Sequence, residues 1–173
     1  MELATHIFRE YDIRGIVHND LNPEVTRLVG RAYGSALRDT VDKPIPKVVV
    51  GQDNRPHSPD LADGLIEGLR SAGVDVVSIG TVPTPLTLWA EKRLEADGAI
   101  QITGSHNPPE YNGIKMTMEG GSFFGASIQG LLDRIQNDRF HSGQGGFTEE
   151  DAIPRYIREI SDGFDLALSL IHI

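Results

Sequence analysis

A hydroxyl, an imidazole and a lysine occur together in the stretch TGSHNPPEYNGIK, residues 103–115, which is rich in turn-forming residues. Ser105 lies between Gly104 and His106, and Lys115 ends the stretch. A serine that accepts and returns a phosphoryl group needs exposure and nearby positive charge, and a hydroxyl on a stiff turn beside cations offers both. The composition alone also predicts a plain turn, since Gly, Ser, Asn and Pro dominate turns. Both interpretations stay open on these residues.

Other chemistries for Ser105 are disfavoured by the sequence. Side chains of adjacent residues usually diverge, so we do not expect Ser105 and His106 to form a general-base dyad. The chain contains no G-x-S-x-G elbow and no G-x-x-x-x-G-K-[ST] phosphate loop. It has no cysteine, and its six histidines are scattered without the spacing of metal ligands. A serine hydrolase, a P-loop protein and a zinc site are therefore not predicted.

Side chains that could neutralise a phosphate are present in a chain whose net charge is −9. Phosphorylation would add about −1.5 to −2 charges at a serine. The residues that could compensate are Arg9, Arg14, Arg55, His57, His106 and Lys115. For Arg9 or Arg14 considered alone, an ordinary surface charge is the simpler interpretation.

The segments around these residues alternate between helical and strand patterns. Apolar residues recur at helical spacing in 22–40, where Asn22 can cap the helix and Pro23 suits its first position. The patterns predict strands over 47–51, 74–80 and 98–103, a possible strand over 114–118, and helices over 59–73, 84–94 and 126–138. This alternation predicts an α/β fold, a three-layer α/β/α domain with a largely parallel mixed sheet.

Three polar or proline-containing loops follow the predicted strands. They are GQDNRPHSP (51–59), TVPTP (81–85) and the stretch that contains Ser105. Ligands in open α/β sheets bind beyond the carboxyl ends of the strands. The sequence therefore predicts that these loops meet at one edge of the sheet and form a site.

Composition sets the class of protein and its expected partners. Hydrophobic residues make up 39% and charged residues 24% of the 173, which predicts a folded chain. The acidic balance argues against bulk binding to nucleic acid or to an anionic membrane. The first residues show no basic segment followed by an apolar run, and no apolar run is long enough to span a bilayer, so a cytoplasmic protein is expected.

The C-terminal part of the chain is predicted to leave the first domain. The Gly-rich segment 141–147 is interpreted as the end of a domain spanning 1–147, and 148–173 as a connecting helix and the truncated start of the next domain. The helix is predicted within 148–164. The tail DLALSLIHI (165–173) has no stop signal, which predicts truncation or non-native sequence.

Three motifs together resemble those of a known family. The stretch 103–115 closely resembles the phosphoserine loop of the α-D-phosphohexomutases, FREYDIRG (8–15) resembles their N-terminal motif, and residues 51–59 resemble their GxDxR loop. The motifs occur in the family's order, and the resemblance covers residues from about 7 to 164. It is strongest to the phosphomannomutase/phosphoglucomutase branch, because the GTDGIRG form usual in phosphoglucosamine mutases is absent. The resemblance favours the phosphoryl-carrier interpretation of Ser105 over the plain turn.

The resemblance implies a reaction. Ser105 would carry a phosphoryl group and exchange it with a hexose 1- or 6-phosphate, the small-molecule substrate, through a hexose 1,6-bisphosphate. A Mg²⁺ ion would be bound partly through the phosphate of Ser105. No prediction of oligomeric state follows.

The resemblance also implies roles for other residues of the motifs. Arg14, Lys115 and His106 would act in catalysis, with Arg14 and Lys115 stabilising the transferred group and assisting proton transfer. The substrate would be bound by Tyr11, Arg14, Asn107 and Lys115. Asn107 and His106 would also shape the loop, and Asp53 and Arg55 would support the edge of the site.

The chain also departs from the family, whose members have four domains. The aspartate-rich metal loop of the second domain and the sugar- and phosphate-recognising parts of the later domains are missing from these 173 residues. The chain alone is therefore predicted to be inactive or nearly so. Two alternatives remain, a phosphoglucosamine mutase and a non-catalytic domain that binds a sugar phosphate or a partner protein.

Overall fold

A computed structural model describes residues 3–164, and the predictions made for the tail 165–173 lie outside these residues. A short 3₁₀ turn, Thr5–Ile7, precedes the first strand. The strands are β1 (Ile13–Ile16), β2 (Lys47–Gln52), β3 (Asp75–Thr81), β4 (Gly98–Ile102), β5 (Tyr111–Met118), β6 (Gly121–Ser122) and β7 (Phe147–Glu149). The helices are α1 (Pro23–Thr40), α2 (Ser58–Ser71), α3 (Thr84–Arg93), α4 (Ala126–Gln136) and α5 (Ile153–Asp162).

The strands form one mixed sheet in the order β1-β5-β4-β2-β3-β7, with β6 paired to β5. The pairs β4–β2, β2–β3 and β3–β7 are parallel. β5 runs antiparallel to β4, and β1 runs antiparallel to β5, so β1 points in the same direction as the parallel strands. The predicted fold class, a three-layer α/β/α domain with a largely parallel mixed sheet, is confirmed.

The two faces of the sheet are covered by different helices. Successive side chains of a strand point to opposite faces, and in β2 Val48 and Val50 belong to a large core with α1, α2 and α4. Val49 belongs to a smaller core, which α3 covers and which Tyr156 of α5 borders. The loops at the ends of β2 and β4 are thus anchored in a core on both sides.

Helix α1 begins and packs as its sequence indicates. The Oδ1 atom of Asn22 accepts a hydrogen bond from the backbone N–H of Val25 at 3.0 Å, which confirms the predicted cap. Gly68 of α2 faces the backbone of α1 so closely that an added Cβ would lie 2.0 Å from the carbonyl oxygen of Arg27. The two helices therefore pack backbone to backbone. This packing fixes the start of α2, and so the end of the loop 53–57 that precedes it.

Two segments differ from the prediction. Residues 147–149 form the edge strand β7, so the predicted helix of 148–164 begins only at Ile153. Three residues are too few to show strand periodicity, and pairing with β3 decides their conformation. β1 was not predicted, although it carries Arg14 and buries Ile13 against the large core. The division between 147 and 148 stays a prediction, and β7 lies across it.

None of the helices within residues 3–164 combines the length and the apolar character that a bilayer span requires.

Candidate active site

Ser105 lies on the loop between β4 and β5, in an unusual backbone conformation. Its φ angle is +54°, a left-handed conformation that residues other than glycine rarely adopt. Its N–H donates to Oγ1 of Thr103 at 2.9 Å, and the N–H of Asn107 donates to the carbonyl oxygen of Gly104 at 3.0 Å. The residue is exposed. A tight turn therefore presents Ser105 to solvent.

His106 lies closer to the hydroxyl of Ser105 than we predicted. The Oγ atom of Ser105 is 3.3 Å from Nδ1 of His106, so the expectation that these side chains diverge is wrong. The left-handed turn at Ser105 brings the two neighbours to the same side. The distance exceeds the range of about 2.6–3.2 Å expected of a nucleophile and its general base.

Arg14 reaches the loop from β1. Its Nη1 donates to the carbonyl oxygen of Gly104 at 2.7 Å and also to Oδ1 of Asn107. Its Nη2 donates to the carboxylate of Asp12. Pairing of β1 with β5 places Arg14 opposite Gly113, and this register brings the buried guanidinium to the loop.

Lys115 lies on β5 and faces the same carboxylate. Its Nζ is 3.5 Å from Oδ2 of Asp12, and 39% of its side chain is exposed. Asp12 therefore joins Arg14 and Lys115 into one charged cluster. Sequence analysis did not single out Asp12, although its place in FREYDIRG, two residues before Arg14, was a usable signal.

Arg55 lies against the loop itself and not only at the edge of the site. Its Nη atoms donate to four backbone carbonyl oxygens, those of Ser105, Asn107, Pro108 and Tyr111. An added Cβ at Gly104 would lie 2.3 Å from the Cζ of Arg55. Glycine at 104 therefore allows this guanidinium to approach.

Asp53 supports both Arg55 and the loop. Its Oδ2 accepts the N–H of Gly104 at 3.0 Å, and its Oδ1 accepts the hydroxyl of Ser58 at 2.5 Å and the N–H of Arg55 at 3.1 Å. Burial raises the pKa of the Asp53 carboxyl, but the hydrogen bonds, that from Ser58 foremost, outweigh burial and lower the pKa below its usual value. The group is thus an acceptor-only carboxylate at neutral pH.

His57 and Asn112 tie the outer half of the loop to the start of α2. Nδ2 of Asn112 lies 2.9 Å from Nδ1 of His57, and Nε2 of His57 lies 3.0 Å from the carbonyl oxygen of Pro109. Since Nδ2 of Asn112 can only donate and the carbonyl oxygen of Pro109 can only accept, Nδ1 of His57 accepts and its Nε2 carries the proton. Asn112 was missed because the sequence Asn-Gly predicts a turn, whereas both residues lie in β5.

Tyr11 lines a cavity whose lining does not include Ser105. Its ring is 76% exposed and stacks on Phe124 with centroids 6.4 Å apart. With Lys115 and Thr84, both rings line this cavity, of about 440 Å³. Sequence analysis had no signal for Phe124.

The loop that contains Ser105 borders a different cleft, of about 410 Å³. Asp53, Arg55, Thr103, Ser105 and Asn107 are among the residues that line it. The prediction that three loops meet at one site therefore holds for only two of them. Loop 51–59 meets the Ser105 loop, whereas loop 81–85 contributes Thr84 to the other cavity. Lys115, which also lines that other cavity, connects the two regions through Asp12, and Arg9 is exposed to solvent.

Metal-binding groups are sparse in this part of the molecule. Within residues 3–164, no three His, Cys, Asp or Glu side chains are grouped in a way that could hold a metal ion. The carboxylates of Asp12 and Asp53 already accept hydrogen bonds from arginine or from the backbone.

Comparison with known proteins gives one consistent result. The sequence profile of the family described as phosphoglucomutase/phosphomannomutase, alpha/beta/alpha domain I, matches residues 5–142. A phosphomannomutase/phosphoglucomutase of Pseudomonas aeruginosa is 40% identical over 165 residues, which is 95% of this chain and 35% of that protein. A phosphoglucomutase of Neisseria meningitidis is 37% identical over 161 residues, 92% of this chain and 34% of that protein.

A solved structure agrees with these sequence relatives. The crystal structure of a phosphoglucomutase/phosphomannomutase family protein from Burkholderia thailandensis superposes with a TM-score of 0.86 at 41% identity, over 92% of this chain and 36% of that one. This chain thus spans about a third of the length of the relatives it matches. Because the family profile covers most of the chain, the chain belongs to the phosphoglucomutase/phosphomannomutase family.

Proposed function

We propose that the protein to which this chain belongs is a phosphomannomutase/phosphoglucomutase that interconverts hexose 1-phosphate and hexose 6-phosphate through a phosphoserine at Ser105. The observation that carries the proposal is the geometry of Ser105, which is exposed on a turn that two arginines hold. The relatives, a phosphomannomutase/phosphoglucomutase and a phosphoglucomutase, support the same activity. Ser105 is thus the phosphoryl carrier and a hexose phosphate the substrate.

The chemistry consists of two transfers in opposite directions. In the first, a hydroxyl oxygen of the hexose phosphate attacks phosphorus, the bond from phosphorus to Oγ of Ser105 breaks, and the hydroxyl proton ends on Oγ. The product is a hexose 1,6-bisphosphate. After this intermediate turns, Oγ of Ser105 attacks its other phosphate and the hexose oxygen takes the proton. No phosphoryl group is lost, provided that the site excludes water.

Two cations act differently in this proposal. Arg14 has donors committed to Gly104, Asn107 and Asp12, so it fixes the loop and supplies positive charge at short range. Lys115 is the more accessible cation, and its ammonium meets the transferred phosphoryl group. Phosphoryl transfer depends mostly on positioning and charge neutralisation, which these two roles provide.

Mg²⁺ is proposed as a cofactor with one ligand from residues 3–164, the phosphate of Ser105. The phosphate oxygens of a phosphorylated Ser105 are hard ligands of the type that Mg²⁺ binds. The carboxylates nearest to the loop, Asp12 and Asp53, are occupied by arginine and backbone donors. The remaining ligands must therefore come from outside residues 3–164. When bound, the ion neutralises phosphate charge.

The proposal extends to the chain in isolation, which we expect to be inactive or nearly so. The chain spans 35% of the length of its Pseudomonas relative, and its described residues hold no complete metal site. A direct assay of the 173 residues with glucose 1-phosphate and mannose 1-phosphate tests this point. Rapid turnover by the isolated chain would overturn it.

The experiment that tests the proposed carrier is mass spectrometry of the longer protein after incubation with glucose 1,6-bisphosphate. We expect one phosphoryl group on the peptide that contains Ser105, and its loss when hexose monophosphate is added. A phosphoryl group on another residue, or none on the protein, would overturn the proposal. Ser142→Ala, which removes an exposed hydroxyl remote from the loop, is the control and should leave the labelling unchanged.

A further inference from the structure

We propose that Arg55 is the positioning residue of the Ser105 loop, holding the serine in the conformation from which it exchanges a phosphoryl group, without binding phosphate itself. This inference rests on the proposed carrier role of Ser105. It assigns to Arg55 a function different from that of Arg14 and Lys115, the cations of the charged cluster.

All the N–H donors of the Arg55 guanidinium are directed at acceptors of the protein. An arginine offers five N–H groups. Four of them point at the carbonyl oxygens of the loop, at 3.4 Å from Ser105, 2.6 Å from Asn107, 2.7 Å from Pro108 and 2.9 Å from Tyr111. The fifth, on Nε, faces Oδ2 of Asp53 at 3.3 Å. A phosphate could bind Arg55 only by displacing these acceptors.

The backbone of Ser105 is in a strained conformation. A non-glycine residue with φ of +54° keeps that conformation only where its surroundings hold it. Arg55 holds the carbonyl oxygens of Ser105 and Asn107, and Asp53 holds the N–H of Gly104. The contacts therefore fall on both sides of the strained residue.

The side chain and backbone of Arg55 are themselves supported by neighbouring residues. The side chain of Arg55 is 14% exposed, and its backbone N–H donates to Oδ1 of Asp53. Asp53 in turn accepts from Ser58, the first residue of α2, which also accepts from Asn112 of β5. Since α2 packs closely on α1, the contacts of Arg55 connect the exposed loop to the large core.

Positioning and phosphate binding predict different kinetics. A phosphate ligand contributes to substrate affinity, so its loss raises KM. A residue that only positions the nucleophile leaves KM nearly unchanged and slows the transfer step, since misplacing a reacting group by about 1 Å costs roughly 100-fold in rate. The two interpretations therefore separate in the comparison of kcat with KM.

The experiment uses the longer protein with Arg55→Met and Arg55→Lys. Arg38→Met is the matched control, because Arg38 also donates to backbone carbonyl oxygens, those of Ala72 and Ser142, far from the site. Three quantities are measured: the single-turnover rate of phosphoryl transfer from glucose 1,6-bisphosphate to Ser105, the KM for hexose phosphate, and amide hydrogen exchange of the peptide covering 103–111.

We expect Arg55→Met to slow transfer by roughly 100-fold with KM within about 3-fold of wild type, and to speed amide exchange in the loop. Arg55→Lys should recover part of the rate, because an ammonium keeps the charge and up to three donors but not the planar fork. Arg38→Met should match wild type in all three quantities. If Arg55→Met does not fold, the decision rests on Arg55→Lys, for which slower transfer and faster exchange at unchanged KM are expected.

Two outcomes overturn the inference. One is wild-type transfer and wild-type exchange in the Arg55 variants, and the other is a raised KM at an unchanged transfer rate, which identifies Arg55 as a phosphate ligand. If wild-type Ser105 accepts no phosphoryl group at all, the proposed function itself fails, and the positioning role fails with it. Phosphorylated wild type with unaffected Arg55 variants removes only the inference on Arg55.

Discussion

The Ser105 loop and helix α5 are both exposed, but the loop exposes polar groups whereas the helix exposes apolar side chains. The loop is polar, and its backbone is tied by Arg14, Arg55 and Asp53. Helix α5 exposes three large apolar side chains, and Phe164, just after the helix, exposes a fourth. The four are spaced four, three and four residues apart: Ile153, Ile157, Ile160 and Phe164. This spacing places them in one stripe along the helix.

The other side of α5 is packed. Tyr156 meets the ring of Trp89 edge to face at 5.4 Å, and Glu159 accepts the indole N–H of Trp89 at 3.1 Å and the Nε–H of Arg93 at 2.7 Å. The helix is thus fixed to α3, with its apolar stripe turned away from the described residues. Exposure by itself therefore does not identify a site. An exposed backbone held by several charged side chains is a candidate site, whereas an exposed apolar stripe is a candidate interaction surface.

The largest effect is expected for removal of the Ser105 hydroxyl, the proposed phosphoryl carrier. Ser105→Ala in the longer protein should lower turnover of glucose 1-phosphate by about 1,000-fold or more, because the covalent route is removed. The thermal midpoint should stay within about 2 °C, since surface substitutions usually change stability by less than about 0.5 kcal/mol. Near-normal turnover of Ser105→Ala would contradict the carrier role, and Ser142→Ala serves as the control for loss of a hydroxyl.

The next effect tests the close contact between Gly104 and Arg55. Gly104→Ala should displace the guanidinium and lower the free energy of unfolding by about 1–3 kcal/mol, the usual range for overpacking. Chemical denaturation of the 173-residue chain measures it. Gly130→Ala on α4 is the matched control, since an added Cβ there meets no atom within 4 Å, and it should stabilise the helix by up to about 1 kcal/mol. Equal effects of the two substitutions would refute the contact.

A smaller effect concerns the pH dependence that Asp53 produces. Its folded pKa is lowered, so its contribution to stability is present above the unfolded pKa of about 4 and disappears as pH falls through the folded value. Asp53→Asn should therefore lower the free energy of unfolding at pH 7 and flatten its decline in acid. Denaturation at pH 7 and at a series of pH values below 4 measures both. Asp63→Asn, exposed on α2, is the control, and an unchanged acid profile in Asp53→Asn would be the contrary result.

The smallest effect is expected for a substitution in the exposed apolar stripe of α5, and it tests whether that stripe is covered in the longer protein. In the 173-residue chain, Ile157→Lys should change the free energy of unfolding by less than about 0.5 kcal/mol, because the side chain is exposed. In the longer protein, where we expect the stripe to be covered, the same substitution should cost about 2 kcal/mol or more. Arg158→Ala, on a different side of α5, should behave alike in both. A small effect of Ile157→Lys in both proteins would mean that the stripe stays uncovered.

Local features of the chain predicted most of the elements. The cap at Asn22 and the apolar spacing of α1 and α2 are properties of a few consecutive residues, so they could be read without the fold. The short strands β1 and β7 could not, because the conformation of three or four residues depends on pairing with a distant strand. For the same reason the predicted helix of 148–164 began too early.

For the candidate site too, the sequence indicated single residues but not the contacts between them. The motifs singled out Ser105, Arg14 and Lys115 through their resemblance to a family, and the family itself is confirmed. Their catalytic roles stay predictions. The motifs did not indicate that Asp12 joins Arg14 to Lys115, or that Tyr11 stacks on Phe124 beside a separate cavity.

The sequence by itself therefore determined most of the helices and strands, the presence of a serine in a stiff, turn-rich loop, and the family. Only the tertiary structure decided which charges hold that serine. Arg55 and the carbonyl oxygen of Pro108 are 53 positions apart in the chain, and they meet because β2 and β4 are neighbours in the sheet. Hydrogen bonds act over about 3 Å, so no local pattern can encode such a contact until strand order brings the two segments together.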